Sequence, residues 1–206
     1  SIPRLLGLEG GPPPWVGTAG GEPELAPVRA ADRLQVMSMG FLLERPDTAV
    51  IWRGPMKYNA IKQFLSEVAW GPLDALVVDS PPGTGDEPLS VAQLLGQPAH
   101  AVIVTTPQEL ALSDVRKCIT FCRQLEVSIL GVVENMSGFV CPHCGETTPI
   151  FKYGGGEAMA REMRVPFLGR VPIDPRIVDA GDDGVPYLER FAGAPAATAF
   201  DAIVKR

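Results

Sequence analysis

Two short stretches hold the residue types that could do chemistry. In the first, Ala75-Leu76-Val77-Val78 runs apolar into Asp79 and continues as Ser80-Pro81-Pro82-Gly83-Thr84-Gly85-Asp86. Apolar residues ending abruptly in an acid describe a buried parallel strand that delivers a carboxylate to the end of a sheet. A carboxylate placed there can hold Mg²⁺ beside a phosphate. Gly83 and Gly85, lacking Cβ atoms, let backbone amides converge on an anion. Strand and acid alone would fit any α/β sheet end, and the glycines alone would fit a simple turn. The Pro-Pro-Gly-Thr-Gly-Asp continuation favours the phosphate reading. Thr84 and Asp86 are weaker candidates for orienting water, and Asp86 equally suits the cap of a following helix.

The second stretch is Cys141-Pro142-His143-Cys144-Gly145. Thiolates at C-x₂-C spacing chelate one metal centre, whereas iron–sulfur clusters and structural zinc sites usually take four protein ligands. The sequence has no second knuckle, but two copies related by a twofold axis would assemble a Cys₄ set. A [4Fe–4S] cluster bridging a homodimer at Cys141 and Cys144 is the sharper reading and Zn²⁺ in the same dimer site its main rival, and the residues alone separate the two poorly. A redox disulfide ranks third, because the strand-to-helix setting of oxidoreductase motifs is lacking. Cys118 and Cys122 lie four apart on an expected helix, share one face, and read as small apolar packing residues. His143 reads as a solvent-facing neighbour of the thiolates rather than a ligand.

Alternating strands and helices must position these residues. Strands are expected near 36–43, around 50–52, at 74–79, 101–105, 127–133 and 167–171, from continuous apolar runs. Helices are expected from Pro55 to about Trp70, from Pro88, from a Ser113 cap to Leu125, from the Gly154-Gly155-Gly156 run to Met163, and over 196–205. Residues 1–35, rich in Pro and Gly, read as irregular surface chain. This alternation predicts an α/β fold, a parallel sheet with helices on both faces, and a single domain over 1–206 with a cysteine knuckle loop at 137–149. Asn135, ending the Gly131–Glu134 run, faces the usual ligand crevice of such a sheet, although by itself a turn asparagine would be the default.

The motifs DSPPGTGD (79–86), VIVTTPQELAL (102–112), GVVENMSGFVCPHCG (131–145), GGGE (154–157) and PFLGRVPIDP (166–175) occur in a fixed order. In that order the chain resembles the Mrp/ApbC-type iron–sulfur carrier ATPases, relatives of the MinD/ParA nucleotide switches with the P-loop NTPase architecture. SIPRLLGL (1–8) and AVIWRGPM (49–56) fit the same pattern, so the resemblance covers nearly the whole chain. It implies a carrier that binds and hydrolyses ATP with Mg²⁺ and transfers a [4Fe–4S] cluster to recipient apoproteins. Asp79, Gly83 and Gly85 would then serve the phosphates, Asn135 would read the adenine, and Pro172 and Asp174 would lie beside the base. The family's first strand, Gly-rich phosphate loop and second strand have no counterpart in these residues, and the chain is expected to be part of a longer protein. The alternatives are a non-enzymatic metal-binding dimer or regulatory adaptor on the same fold, and a ParA/MinD-like positioning ATPase.

Composition narrows the partners. With 206 residues, 46% hydrophobic and 20% charged, the sequence has ordinary globular character. The net charge of −6 argues against a nonspecific nucleic-acid surface. No apolar run is long enough to span a bilayer, so no membrane role is expected. Cysteines paired at knuckle spacing, without an export signal, point to a reducing cytoplasm.

Overall fold

In the second half of the chain, each apolar run becomes a strand and each amphipathic stretch a helix laid across it. The computed structural model describes residues 2–10, 15–16, 24–43, 45, 48, 52–141 and 143–206. In chain order the elements are α1 (Ile2–Leu5), β1 (Trp15–Val16), β2 (Glu24–Leu25), β3 (Val28–Ala31), β4 (Leu34–Val36), a 3₁₀ turn (Met39–Leu42), α2 (Gly54–Ser66), α3 (Asp86–Leu95), β5 (His100–Thr105) and α4 (Glu109–Gln124). They continue with β6 (Ser128–Glu134), β7 (Phe139–Val140), β8 (Thr147–Thr148), α5 (Gly155–Glu162), β9 (Phe167–Arg170), α6 (Arg176–Asp182), α7 (Tyr187–Arg190) and α8 (Pro195–Val204).

The central sheet is parallel, in the order β5-β6-β9. Its register aligns Thr105 with Glu134 and Glu134 with Arg170, so these three residues form one level at the carboxyl edge. Alternation along β6 sends Val132 and Val133 to opposite faces. Val132 joins Ile103, Leu112, Ile119, Cys122, Met159 and Ala160 beneath α4 and α5. Val133 joins Val171 and Ala196 on the other face, with Leu168, Phe200 and Ile203 packed around them. Helices thus lie on both faces, although the second is covered mainly beside β9, and Val102 and Val104 of β5 stay half exposed on it.

The segment 74–79 departs from expectation: it forms no strand, and its residues are exposed, Val77 by 91%. A strand apolar on both faces is stable only between ladder partners and beneath covering layers. No described strand pairs with 74–79, and β5 is an edge of the described sheet, with Val102 and Val104 half exposed. The expected strand near 36–43 is also replaced. There β4 ends at Val36, and a 3₁₀ turn follows in which the Ser38 hydroxyl accepts from the Gly40 amide at 3.2 Å. The strand expected around 50–52 lies outside the described residues except for Trp52, which is irregular. α4 begins at Glu109 after Gln108, four residues before the expected Ser113 cap.

The described residues among 1–35 include regular elements where composition suggests irregular chain. β3 and β4 pair antiparallel, and α1 lies against α6. That last contact depends on Gly7 and Gly184, both at positive φ. A Cβ on Gly7 would meet the Gly184 carbonyl oxygen at 2.7 Å, so neither position admits a side chain.

Beyond β9 the chain is organised by Asp174, whose side chain is 7% exposed. Its Oδ1 accepts from the Arg176 amide at 3.0 Å and Nε at 2.9 Å, and its Oδ2 from Arg176 Nη2 and the Tyr187 hydroxyl, both at 2.6 Å. The Arg176 guanidinium above all, then Tyr187, draws the Asp174 carboxyl down to about 2. Burial, and the bond to Asp174, raise the Tyr187 phenol to about 12. These bonds tie the loop after β9 to the starts of α6 and α7.

Two outcomes follow. Ile119 is fully buried, so Ile119→Ala should lower unfolding stability by about 2–5 kcal/mol, read from denaturant midpoints at unchanged slope. Asp174 has a folded pKa below its ordinary value, so its contribution is complete above about pH 4 and is lost as pH falls toward 2. Wild type should therefore lose more stability than Asp174→Asn over that acid range, and parallel acid curves would show that Asp174 contributes nothing through its charge.

Candidate functional site

β6 delivers three polar residues to the carboxyl edge of the sheet: Glu134, Asn135 and Ser137. Glu134 is fully buried, an unusual place for a carboxylate unless it is surrounded by donors. Its Oε1 accepts from the Ser137 hydroxyl at 2.5 Å and the Gly154 amide at 2.9 Å, and its Oε2 from the Gly156 amide at 2.5 Å. Arg170 Nε stands 3.7 Å from Oε1, and the same guanidinium bonds Glu157 and lies over the rings of Tyr153 and Phe167. Gly156 is required by this arrangement, since a Cβ there would sit 2.9 Å from Glu134 Oε2.

Between Ser137 and Gly154 the chain makes the β7–β8 hairpin, with Phe139 opposite Thr148 and Val140 opposite Thr147. At its tip the Cys141 amide donates to the Glu146 carbonyl, and the Gly145 amide donates to the Cys141 carbonyl, both at 2.9 Å. Gly145 adopts φ +73°, the left-handed turn conformation open to glycine, with free space where a Cβ would lie. Cys141 and Cys144 are free thiols, the first half-buried and the second exposed. The amides of Cys144 and His143, then the Cys144 thiol, hold the Cys141 thiol below its ordinary range, which favours the thiolate a soft metal takes. Among the described residues no set of three or more Cys, His, Asp or Glu side chains is arranged to hold a metal. The hairpin tip thus presents two free sulfurs, those of Cys141 and Cys144.

The other cysteine pair sits in the core. Cys122 is buried and Cys118 packs against the same cluster beneath α4. Cys122 lowers the Cys118 thiol to about 7, while that contact and burial push the Cys122 thiol up.

Asn135 and Pro172 lie beside the hairpin root. The Asn135 amide donates to the Thr105 carbonyl at 2.7 Å, and its side-chain Oδ1 accepts from the Met136 amide at 2.8 Å. This fixes the side chain with its Nδ2 donors available. Val171 donates to the Glu134 carbonyl at 2.8 Å, placing Pro172 level with Asn135 at the sheet edge. Asp174 belongs to this loop, but Arg176 and Tyr187 occupy its carboxylate, so it shapes the loop rather than offering a free acceptor.

The phosphate candidates are placed elsewhere. Asp79 is exposed and, among the described residues, makes no hydrogen bond or ion pair. Gly83 turns at φ +94° with open space around it, and Gly85 is the N-cap of α3. α3 is held to α2 by Lys57 Nζ and Glu87 Oε1 at 2.5 Å. Thr84 lines a surface groove with Arg116, Lys117, Thr120 and Met163, so this loop runs along the flank of α4. The expected convergence of Asp79, Gly83 and Asn135 is not made by any described contact. The cause is the segment 74–79, which does not enter the sheet and so does not bring its loop to the strand ends.

Glu134, Ser137 and Arg170 were not singled out from the sequence. Their signal was present: Glu134 ends an apolar run as Asp79 does, and a charged residue there must be paired.

Comparison with known proteins places the chain in a family. The ParA family profile described as NUBPL iron-transfer P-loop NTPase matches residues 1–206. The cytosolic Fe-S cluster assembly factor NUBP2 of Bos taurus is 48% identical over 213 aligned positions, covering 100% of this chain and 76% of the relative. The NUBP2 homolog of Nematostella vectensis is 46% identical with the same coverage. Among solved structures, a nucleotide-binding protein of Archaeoglobus fulgidus in complex with ADP is 40% identical, with a TM-score of 0.75 over 97% of this chain and 73% of its own. The cell division ATPase MinD of Pyrococcus furiosus, 24% identical with a TM-score of 0.53 over 76% of this chain and 61% of its own, shares the fold. By profile, by relatives and by architecture, the chain belongs to the NUBPL iron-transfer P-loop NTPases of the ParA class.

Proposed function

We propose that this chain is the cluster-holding part of an ATP-dependent iron–sulfur carrier, working as a homodimer that passes a [4Fe–4S] cluster to apoproteins. The observation that carries this reading is the β7–β8 tip. It presents free Cys141 and Cys144, with Cys141 biased toward thiolate and no third donor arranged beside them among the described residues. Two such tips complete a four-sulfur set across a twofold axis, the ligand number iron–sulfur clusters take. The names of the relatives, cytosolic Fe-S cluster assembly factors, support the same chemistry and a cytosolic setting. No helix of the described residues is long and apolar enough to cross a membrane. The net charge of −6 favours protein recipients over nucleic acid.

Nucleotide enters the reading through the other end of the same edge. Asn135 and Pro172 would border the base, with Asp174 setting the loop through Arg176 and Tyr187. The similar structure in complex with ADP supports nucleotide binding. Asp79 would hold Mg²⁺, and Gly83 and Gly85 would turn amides toward the terminal phosphate, once 74–79 is drawn into the sheet. Bound Mg²⁺ supplies charge neutralisation of the triphosphate. Nucleotide gates the cluster only if its affinity differs between two arrangements of the dimer.

Anaerobic reconstitution should yield about four irons per two chains with broad visible absorption. Cys141→Ala and Cys144→Ala should each abolish loading, while Cys118→Ala should load as wild type because that sulfur is packed in the core. Zinc retained in place of iron under the same handling would convert the reading to a structural metal dimer. Undiminished iron in the Cys141→Ala/Cys144→Ala double variant would remove it altogether. In protein that turns over ATP, Asp79→Asn should lower Mg²⁺-dependent turnover by at least about tenfold and leave iron loading unchanged. Equal turnover in the variant would assign Asp79 no part in the phosphate site.

A further inference from the structure

The buried carboxylate of Glu134 touches neither the cysteines nor the residues bordering the base, yet it reaches both roots of the hairpin between them. The Ser137 hydroxyl it holds lies two residues before the hairpin's ascending arm, and the Gly154 and Gly156 amides it holds follow the descending arm. The ascending root is also laced to the loop beyond β9. Ser137 donates to the Val171 carbonyl at 3.0 Å, Ile173 donates to the Gly138 carbonyl at 2.8 Å, and Phe139 bridges Ile173. Pro172 lies between those two partners.

We propose that Glu134 is the positioning residue of the cysteine hairpin: by clamping its two roots to the end of β6, it fixes where Cys141 and Cys144 stand relative to the loop at Pro172. Position matters because a cluster shared between two chains tolerates little error in where each pair of sulfurs is held. The carboxylate suits the task chemically. Its two oxygens face three donors at 2.5–2.9 Å, with Arg170 alongside, and such charge-assisted bonds are stronger than neutral ones. Arg170 Nε is itself buried with no hydrogen-bond partner, so the guanidinium faces the carboxylate as a neighbouring charge rather than a competing donor. The hairpin in turn packs on its own root: a Cβ on Gly138 would meet Thr147 Cγ2 at 3.0 Å and Tyr153 Cδ2 at 3.7 Å. Displacing the root therefore displaces the tip as one piece.

This inference rests on the proposed role of Cys141 and Cys144, and its test includes a readout that does not need a cluster. Ser137→Ala removes one donor from the clamp without leaving a charge unpaired, and Glu134→Gln keeps the shape of the side chain while turning an amide group toward a donor. Amide hydrogen exchange is measured on the metal-free protein, and the rate of iron loss to a chelator on the loaded protein. Both variants should exchange at least about tenfold faster across 138–148 while β5 and the rest of β6 keep their protection. Where wild type loads iron, both should release it severalfold faster with unchanged initial stoichiometry. Wild type that loads no iron would defeat the carrier reading, while faster hairpin exchange in the same variants would still sustain the clamp. Uniform acceleration of hairpin and core together, or no change in either variant, would overturn the clamp even if iron loads normally.

Discussion

A charge buried at the end of a strand is the constraint from which the rest of this site follows. Glu134 has no solvent, so its carboxylate must be met by donors from the protein, and isolated burial would cost several kcal/mol. The donors come from chain on either side of the hairpin and from a glycine turn that no other residue could make so close. The cysteine hairpin can therefore leave the body of the protein only along one path. Its tip is tightened by the Cys141–Gly145 and Cys141–Glu146 bonds and carries two free sulfurs, that of Cys144 exposed and that of Cys141 half-buried.

The sheet edge turns neighbouring residues at one set of strand ends toward different partners. Glu134, ending β6, bonds the hairpin roots, while Asn135, one residue later, bonds the Thr105 carbonyl and the Met136 amide; Arg170, ending β9, stands beside the carboxylate, and Pro172 follows two residues on. Because the side chains of adjacent residues diverge, neighbours in sequence serve opposite sides of the edge. Two backbone bonds, from the Ser137 amide to the Val171 carbonyl and from the Ile173 amide to the Gly138 carbonyl, join the hairpin root to the loop after β9.

The sequence made the second half of the molecule readable. Continuous apolar runs at 101–105, 127–133 and 167–171 are strands within a residue or two, and the helices after them follow their apolar period. The cysteine knuckle was legible because its spacing is local. What misled was the assumption that an apolar run supplies its own burial: 74–79 has the composition of a central strand and lies exposed, because pairing and covering layers belong to neighbours and not to the run. The Glu134 clamp escaped notice for the opposite reason. Its partners, Gly154, Gly156 and Arg170, are 20 residues or more away, and only the folded register puts Arg170 beside Glu134. Asp174 was read as an accessory to the base, and the local Asp174–Arg176 spacing held the clue to its structural use.

The central claim is that one chain holds half of a metal site and that a second copy supplies the other half. Native mass spectrometry of anaerobically reconstituted protein addresses it without reference to activity. The account predicts that the cluster mass appears on the dimer alone, one [4Fe–4S] unit per two chains, and that stripping the iron shifts the population to monomer. A cluster mass carried by the monomer, or a metal-free dimer of equal abundance, would contradict it.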